Sequence, residues 1–391
     1  MKFLKSILFL VVFSLSQLSW TSPVSAQAET VSGQEPTFGL PLCQPGPYLY
    51  DPQDCLPLGP SETITQMAQK GIVYPFIPLQ AHKPDSSLND LDLNFARINV
   101  PPPDKAPVYA SFEDARTGNN PTGTLEPGNL IYVSYKSIAY DGPDAYAYLT
   151  SGAWMRASPI SSINSFQGLE FSDNSDTTIG WIVESTHPRE EAGYNGKETE
   201  NLLPPQTPVQ IYNTQEKDGT QWYMIGLGQW VERKYIRQLV VNSTPPAGVD
   251  NNRWIEVNLY EQILSVYDNG KLKFATLIAS GMEPYYTQPG LFKIYNKKPT
   301  ETMRGAFEAD KSDFYYLEDV PWTLYFDKER AIHGAYWRAM FGYEQSHGCI
   351  NMSIGDSHWI YNWANVGDYV YVHDPSGATP TDPSFYGSGG A

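Results

Sequence analysis

The sequence predicts a mainly β protein, with two small β-barrels followed by a larger β-rich domain that carries one or more short helices. Aromatic residues make up 14% of its 391 residues, and its 27 Tyr and 31 Gly favour strands and tight turns over helix bundles. Short segments of alternating apolar and polar residues lie between Gly, Pro and Asn turns. An aromatic–Gly–Trp pattern also occurs twice, 76 residues apart (222 − 146), which indicates an internal repeat.

Residues 1–28 have the layout of a secretory signal peptide. Lys2 and Lys5 precede an apolar run over residues 7–18, and Val24-Ser25-Ala26 supplies a small-x-small cleavage site. The apolar run is shorter than the ~20 residues of a membrane-spanning helix. We therefore expect an exported, extracytoplasmic protein, located in the periplasm or at the cell wall.

Residues 29–104 are rich in proline and predict an irregular N-terminal segment. Cys43 and Cys55 lie twelve residues apart in it, and disulfides persist in exported proteins. We expect a disulfide between them, which would stabilise the chain by ~3 kcal/mol if unstrained. That pairing leaves Cys349 outside any disulfide, which in an exported protein indicates either a deeply buried thiol or a catalytic one.

The repeat predicts one barrel over residues 105–162 and a second over 178–241. Tyr146 to Trp154 and Trp222 to Trp230 align an aromatic residue, a Gly and a Trp in register, and an alternating strand precedes each copy. The pattern resembles the bacterial SH3-like modules that are fused to cell-wall enzymes. The resemblance leaves two interpretations open, attachment to the wall and spacing of the enzyme from it.

Residues 250–375 predict a further domain. The sequence indicates strands at 254–259, 262–267, 272–280, 291–295 and 369–372, and Asn269-Gly270 is a hairpin turn because these residues accept positive φ. An amphipathic helix is predicted over 354–365, with Ser353 and Asp356 as a capping pair. The Gly- and Ser-rich tail, 376–391, is predicted to be disordered.

The candidate chemistry lies in one stretch of this domain. His333-Gly334 is followed sixteen residues after His333 by Cys349, within the run Ser346-His-Gly-Cys-Ile-Asn351. A catalytic thiol needs a nearby base to form the thiolate, and His can take that proton near neutral pH. Gly348 permits a tight turn whose N–H groups can face a developing oxyanion.

The segment from Arg253 to Asp374 resembles the L,D-transpeptidase family, whose catalytic domain is of the YkuD type. The family motif is His-Gly or His-Ser, a variable loop, then Ser/Thr-His-Gly-Cys-x-Asn, and this chain matches every fixed position. One departure is Thr287-Gln-Pro-Gly290, where the family's Pro is displaced by one residue.

The resemblance implies a role for each matching residue and a substrate. Cys349 is the nucleophile, His333 is the general base and acid, and the carbonyl of Gly334 orients the His333 ring. The residues implied to shape the site are Ser346, His347, Gly348 and Asn351, and Tyr325 is a candidate for the substrate pocket. The resemblance implies peptidoglycan stem peptides as donor and acceptor, and no metal or organic cofactor.

The same residues admit four other interpretations. A zinc site formed by the His and Cys residues is disfavoured, because structural zinc sites usually show paired ligands such as C-x₂-C. A papain-like peptidase is disfavoured because His precedes Cys in this chain. A non-catalytic wall-binding protein would be expected to have lost Cys349 or His333. An L,D-carboxypeptidase, in which water replaces the acceptor amine, stays open because it needs the same residues.

The charge of the chain excludes some partners. The formal net charge is −17, and loss of the two signal-peptide lysines gives −17 − 2 = −19. Such a surface repels nucleic acid and anionic membranes.

Overall fold

The computed structural model describes residues 81–387, except 102, 127, 129, 173–177, 227, 309–310 and 312. The predicted signal peptide and the predicted Cys43–Cys55 disulfide lie outside the described residues. Within the described part of the chain, no helix is long and apolar enough to span a membrane.

The protein is mainly β, as predicted, with 24 strands and two α-helices among the described residues. The strands are β1 (Ala81–His82), β2 (Asn94–Arg97), β3 (Ala106–Val108), β4 (Gly123–Leu125), β5 (Leu130–Asp141), β6 (Asp144–Leu149), β7 (Trp154–Arg156), β8 (Ser158–Pro159), β9 (Leu169–Phe171), β10 (Thr178–Ile182), β11 (Pro208–Ile211), β12 (Asn213–Lys217), β13 (Thr220–Gly226), β14 (Gln229–Glu232), β15 (Ile236–Leu239), β16 (Arg253–Asn258), β17 (Ile263–Asp268), β18 (Lys271–Leu277), β19 (Gly290–Lys293), β20 (Asn296–Gly305), β21 (Tyr315–Asp327), β22 (Arg330–Gly334), β23 (Ile350–Met352) and β24 (Tyr369–His373). The helices are α1 (Phe112–Thr117) and α2 (Ile354–Trp363), and short 3-10 helices cover Ser86–Asn89, Arg233–Tyr235 and Pro383–Phe385.

A seven-stranded sheet has the order β1-β9-β18-β17-β16-β24-β19. Its centre is the antiparallel meander β16–β17–β18, and β24 returns from the end of the domain to pair parallel with β16. The β17–β18 hairpin turns at Asn269 and Gly270, which have φ of 52° and 71°. The predicted Asn-Gly turn therefore forms in the left-handed conformation that these two residues accept.

A second sheet runs β23-β22-β21-β5-β2-β8, with β20 on β21 and β6 between β5 and β7. Its β21–β23 part faces the seven-stranded sheet, and the core between them is aliphatic and aromatic. Its fully buried members include Ile255, Leu264, Leu324, Ile332 and Ile350. This core holds β22 and β23 side by side.

Helix α2 packs against β21 and β22 and is fastened at its N-terminus. The Ser353 hydroxyl accepts from the Asp356 N–H, which is the predicted cap. The fully buried Asp356 carboxylate accepts from Thr276 Oγ1 at 2.5 Å and from the Gly168 N–H at 2.9 Å. The buried face of the helix thus contains Asp356 and Ser357 beside Ile354 and Ile360, so it is less apolar than an amphipathic pattern predicts.

The two copies of the 76-residue repeat form hairpins with the same strand register. Hairpin β6–β7 pairs Tyr148 with Trp154, and hairpin β13–β14 pairs Met224 with Trp230, at the same offset. The further pairs that keep this offset are Ala147–Met155 with Tyr223–Val231 and Tyr146–Arg156 with Trp222–Glu232. The repeated sequence pattern therefore encodes the same hairpin twice.

The second copy is built from the three-stranded sheets β11-β10-β15 and β12-β13-β14. It does not stand apart from the following domain. Trp181 and Leu239 share one core with Trp254, Tyr267 and Leu277 of the seven-stranded sheet. The SH3-like assignment stays a prediction, but the structure gives the second module and the domain one continuous interior.

The first copy is not a separate barrel either, because its strands pair with a strand of the last domain. Strand β2, which precedes residue 105, pairs with β5, and β5 pairs parallel with β21 of the last domain. Leu130 lies opposite Tyr315 in this register, 185 residues away in the sequence (315 − 130). Residues 94–162 and the last domain therefore share a sheet.

The tail forms defined contacts as far as residue 387, although its composition predicts disorder. The Asp374 carboxylate accepts from Ser376 and Thr379, and Thr379 is buried. The Tyr386 ring is buried under the Arg330 guanidinium, 5.3 Å from its centroid. These polar and aromatic contacts fix the path of a segment whose composition alone predicts no ordered structure.

The shared core makes a prediction about stability. Trp181→Ala should lower the free energy of unfolding by about 3–5 kcal/mol, because it empties a fully buried site between the second module and the seven-stranded sheet. Urea unfolding should still show one transition for both parts. Tyr140→Ala, at an exposed position, is the control, and two separate transitions in the wild type would contradict the shared core.

Candidate active site

Two parallel strands hold the candidate catalytic residues. Strand β22 carries His333, and Cys349 directly precedes β23. The register pairs Ile332 with Ile350 and His333 with Asn351. The cores of the two sheets fix these strands, so the imidazole and the thiol are placed by non-local packing and not by their own loop.

Hydrogen bonds fix the His333 ring. The Arg338 guanidinium can only donate, and its Nε–H donates to Asn351 Oδ1 at 2.5 Å. The Asn351 Nδ2–H₂ therefore faces His333 Nε2, at 3.1 Å, and donates to it. The other ring nitrogen, Nδ1, donates to the carbonyl of Gly334 at 3.1 Å. The proton thus sits on Nδ1, and Nε2 is the basic nitrogen.

Burial sets the protonation of His333. Its side chain is 2% exposed, and desolvation lowers the pKa of His333 to about 4, against a smaller opposing effect of the hydrogen bond to Gly334. The imidazole is therefore neutral at physiological pH and can accept a proton.

The turn before Cys349 is held from both sides. Ser346 Oγ donates to the carbonyl of Cys349 at 2.5 Å and accepts from the Gly348 N–H. Buried Thr287 donates from its hydroxyl to the carbonyl of Gly348 at 2.9 Å. Gly348 has φ of 116°, and a Cβ there would meet Arg330 Nε at 3.0 Å. Both the backbone angle and the close arginine require glycine.

Cys349 is a buried thiol, 5% exposed, and is not in a disulfide. Burial raises the pKa of Cys349 to about 11, and the Ala331 N–H and the Arg330 guanidinium only partly offset this. The resting pair is therefore a neutral thiol and a neutral imidazole. Formation of the thiolate has to accompany proton transfer during attack.

His333 and Cys349 line the same pocket. The side chains that surround them come from β5, β20, β21, β23 and the loop between β22 and β23: Leu130, Met303, Tyr315, Leu317, Trp337, Arg338, Ser346, His347 and Asn351. Leu130 belongs to the first module, so that module supplies part of the pocket wall. We refer to this space as the catalytic pocket.

His347 forms an aromatic wall of the catalytic pocket. Its ring stacks on Phe307 with centroids 4.7 Å apart and also contacts Tyr285. Desolvation lowers the pKa of His347, so it is neutral like the rings around it. The structure therefore gives His347 an aromatic packing position.

Tyr325 contacts Cys349 but is not part of the lining of the catalytic pocket. It packs with Ala331 and Cys349 in a small buried cluster, and its own pKa is raised by burial. It lines a separate, polar pocket formed by Tyr295, Asn296, Lys298, Glu301, Thr302, Arg304, Tyr325 and Glu329. We refer to this second space as the polar pocket. Tyr325 thus contacts Cys349 and also lines the polar pocket.

The structure adds residues that sequence reasoning missed. Arg338 orders the His333–Asn351 pair, and Thr287 supports the Cys349 turn. Trp337 lines the catalytic pocket, and its buried indole N–H has no partner among the described residues. The sequence signal for Arg338 is only a charged residue five positions after His333, and the folded loop alone shows its partner.

No group of three His, Cys, Asp or Glu side chains in the described part of the chain is arranged to hold a metal ion. His358 stacks on Trp322, and His373 lies beside Glu256.

A buried thiol and an oriented imidazole in a two-sheet β domain are the groups that thiol-dependent acyl transfer requires. Residues 252–372 match the family model of the YkuD L,D-transpeptidase catalytic domain. This segment therefore matches the L,D-transpeptidase family that the sequence motif indicates.

Solved structures of L,D-transpeptidases are similar to part of the chain. The catalytic domain of the E. faecium enzyme is 28% identical over 32% of this chain and 100% of that chain, with a TM-score of 0.29. The enzyme from Stackebrandtia nassauensis is 28% identical over 33% of this chain and 58% of that chain, with a TM-score of 0.26. The enzyme from Mycobacterium smegmatis is 15% identical over 53% of this chain and 90% of that chain, with a TM-score of 0.30. A comparison with curated proteins gave no match.

The raised thiol pKa makes a prediction about reactivity. The rate of Cys349 alkylation by iodoacetamide should rise about tenfold per pH unit from pH 7 towards about pH 11, because only the thiolate reacts. Peptide-resolved mass spectrometry measures the rate at Cys349. In the urea-unfolded chain the rise should end about two units lower. A native plateau below pH 8 would show a preformed thiolate and contradict the neutral pair.

The Arg338 hydrogen bond makes a second prediction. Arg338→Met should lower kcat by roughly tenfold to a hundredfold, because loss of a charged donor, worth about 1.5–3 kcal/mol, frees the Asn351 amide. The ¹⁵N shifts of His333 should then show a mixture of tautomers, an effect that a general loss of stability does not cause. Arg156→Met, on exposed β7, is the control. Unchanged ¹⁵N shifts would exclude the positioning role.

Proposed function

We propose that the protein is an exported peptidoglycan L,D-transpeptidase that uses Cys349 as its nucleophile. The observation that carries the proposal is the convergence of His333 and Cys349 in one pocket, from adjacent parallel strands of the matched catalytic domain. The pocket combines aliphatic and aromatic walls with a few oriented polar groups, which suits a peptide substrate.

The proposed reaction begins with attack on the third residue of a tetrapeptide stem. Cys349 Sγ bonds to the carbonyl carbon, and its proton passes to His333 Nε2. This nitrogen carries no proton at rest, and it releases the Asn351 N–H when it takes the proton. The C–N bond to the terminal D-Ala breaks, and the imidazolium returns the proton to the leaving amine. The result is a thioester on Cys349 and a neutral imidazole.

The second half of the reaction consumes the thioester. An amine of a neighbouring stem attacks the same carbon, the C–S bond breaks, and the amine proton returns to the sulfur by way of His333. The product is an amide cross-link between third residues. An L,D-carboxypeptidase would use the same thioester with water in place of the amine, so the acceptor separates the two activities.

Export and wall attachment belong to the same proposal. Export is supported by the residues 1–28 pattern. Attachment through residues 105–241 is supported by the repeated modules, while Leu130 in the catalytic pocket gives the first module a further role in forming the site.

The proposal predicts the behaviour of two variants. Cys349→Ala should abolish turnover of tetrapeptide muropeptides and the thioester adduct seen by intact-protein mass spectrometry, at a small cost in stability because the side chain is small. His333→Ala should lower turnover by about 10²-fold or more by removing the base. Both assays run with and without EDTA, and we expect the same rates.

The control is His82→Ala, at an exposed position, which should keep wild-type activity. Substantial turnover by Cys349→Ala would refute the nucleophile. Trimmed stems without any dimers would leave Cys349 in place and assign the carboxypeptidase reaction instead.

A further inference from the structure

The loop between β22 and β23, residues 335–349, is held at its middle by the second module. Arg237 on β15 donates from Nε to the carbonyl of Gly342 at 2.8 Å, and its guanidinium lies 5.2 Å from the ring centroid of Tyr343. The Gly342 N–H donates at 2.7 Å to the carbonyl of Ile278, which directly follows β18 of the seven-stranded sheet. The middle of the loop is therefore fixed by two parts of the chain that lie far from it in sequence.

Close packing supports the hydrogen bond at Gly342. This residue has φ of 97°, a conformation that favours glycine, and a Cβ there would meet Val183 Cγ1 of the second module at 2.4 Å. The preceding Phe341 is buried in the core that also contains Phe166 and Trp181. The loop backbone and the second module thus fit against each other without room for a side chain between them.

The Arg237 side chain is itself held in place. Its Nη1 donates to the carbonyls of Lys234 and Ile236 at 3.2 and 3.3 Å. Arg237 is half-buried, and it is not part of the lining of the catalytic pocket. Any effect of Arg237 on the reaction therefore has to pass through the loop.

The same loop carries the residue that orders the catalytic pair. Arg338 lies four residues before Gly342, and Gln345 lies three residues after it. The Arg338 guanidinium donates to the side-chain oxygen of Gln345 at 3.0 Å and to its carbonyl at 2.5 Å. Arg338 also donates to Asn351 Oδ1, which faces the Asn351 amide towards His333. Arg338 and Gln345 thus bridge the loop on either side of Gly342, so a shift of Gly342 moves the base from which Arg338 reaches Asn351.

We propose that Arg237 is a positioning residue for the catalytic pair, and that the second module acts on the reaction through it. Its hydrogen bond to Gly342 fixes the loop from which Arg338 acts. Arg338 then sets the tautomer of His333 through the Asn351 amide. The inference rests on the proposed function, because the rate that it concerns is that of thioester formation. It gives the second module a part in catalysis that neither wall attachment nor spacing includes.

The test measures thioester formation in a single turnover of the full-length protein with a tetrapeptide donor, by intact-protein mass spectrometry. Arg237→Met should lower the maximal rate about tenfold, the effect of losing one hydrogen bond from a charged donor. The donor concentration at half-maximal rate should stay within about twofold of the wild-type value, because Arg237 does not line the catalytic pocket. Arg237→Lys keeps a positively charged donor and should recover part of the rate.

Two further measurements separate positioning from a general loss of stability. The ¹⁵N shifts of His333 in Arg237→Met should show the mixture of tautomers that is expected for Arg338→Met, with a partial return to one tautomer in Arg237→Lys. The double variant Arg237→Met/Arg338→Met should be about as slow as Arg338→Met alone. The two losses should not add, because both changes act through the same contacts.

Arg189→Met is the matched control. Arg189 is another arginine of the second module that donates to backbone carbonyls, those of Tyr194 and Gly196, and neither of these residues belongs to the loop. This variant should lower the free energy of unfolding in urea but keep the wild-type rate of thioester formation and the single tautomer of His333.

The outcomes distinguish the inference from the proposed function. An Arg237→Met variant with the wild-type rate or with unchanged His333 shifts overturns the positioning role, and so does a double variant in which the two losses add. A wild-type protein that forms no thioester overturns the proposed function instead. The ¹⁵N shifts of Arg237→Met then still decide whether Arg237 positions His333.

Discussion

The geometry of the active site depends on one hydrogen bond from a charged donor. Arg338 can only donate, so its contact with Asn351 Oδ1 decides which way the Asn351 amide faces. That amide then decides which nitrogen of His333 carries the proton. An arginine suits this task because its charge is kept even where burial lowers the pKa of Arg338 to about 10.

Burial has opposite consequences for the two reacting groups. It lowers the pKa of His333 and raises that of Cys349, so the charged forms of both are disfavoured in the absence of substrate. A thiolate–imidazolium pair would form more easily on an exposed surface, but its thiolate would also be more readily oxidised. Burial of the neutral pair keeps the thiol protonated at rest.

Local features of the fold and the site could be predicted from the sequence. The Asn269-Gly270 turn, the Ser353 cap and the repeated hairpin each depend on residues close together in the chain. The pairing of β5 with β21 could not be predicted from the sequence, because parallel partner strands far apart in the chain leave no periodic signal. The motif likewise predicts that His333 and Cys349 lie close together, and the structure places both in one pocket. Arg338 could not be predicted, because it acts through a loop whose path only tertiary packing defines.

The parallel pairing of β5 with β21 also bears on how such proteins can diversify. Multidomain enzymes often exchange accessory modules by recombination, which is tolerated where few contacts cross the boundary. Here the first module donates a strand to the catalytic sheet and Leu130 to the pocket wall. A foreign module inserted at the same boundary would leave the edge of β21 without its partner strand and remove one side of the pocket. The accessory region and the enzyme are therefore constrained to evolve as one unit.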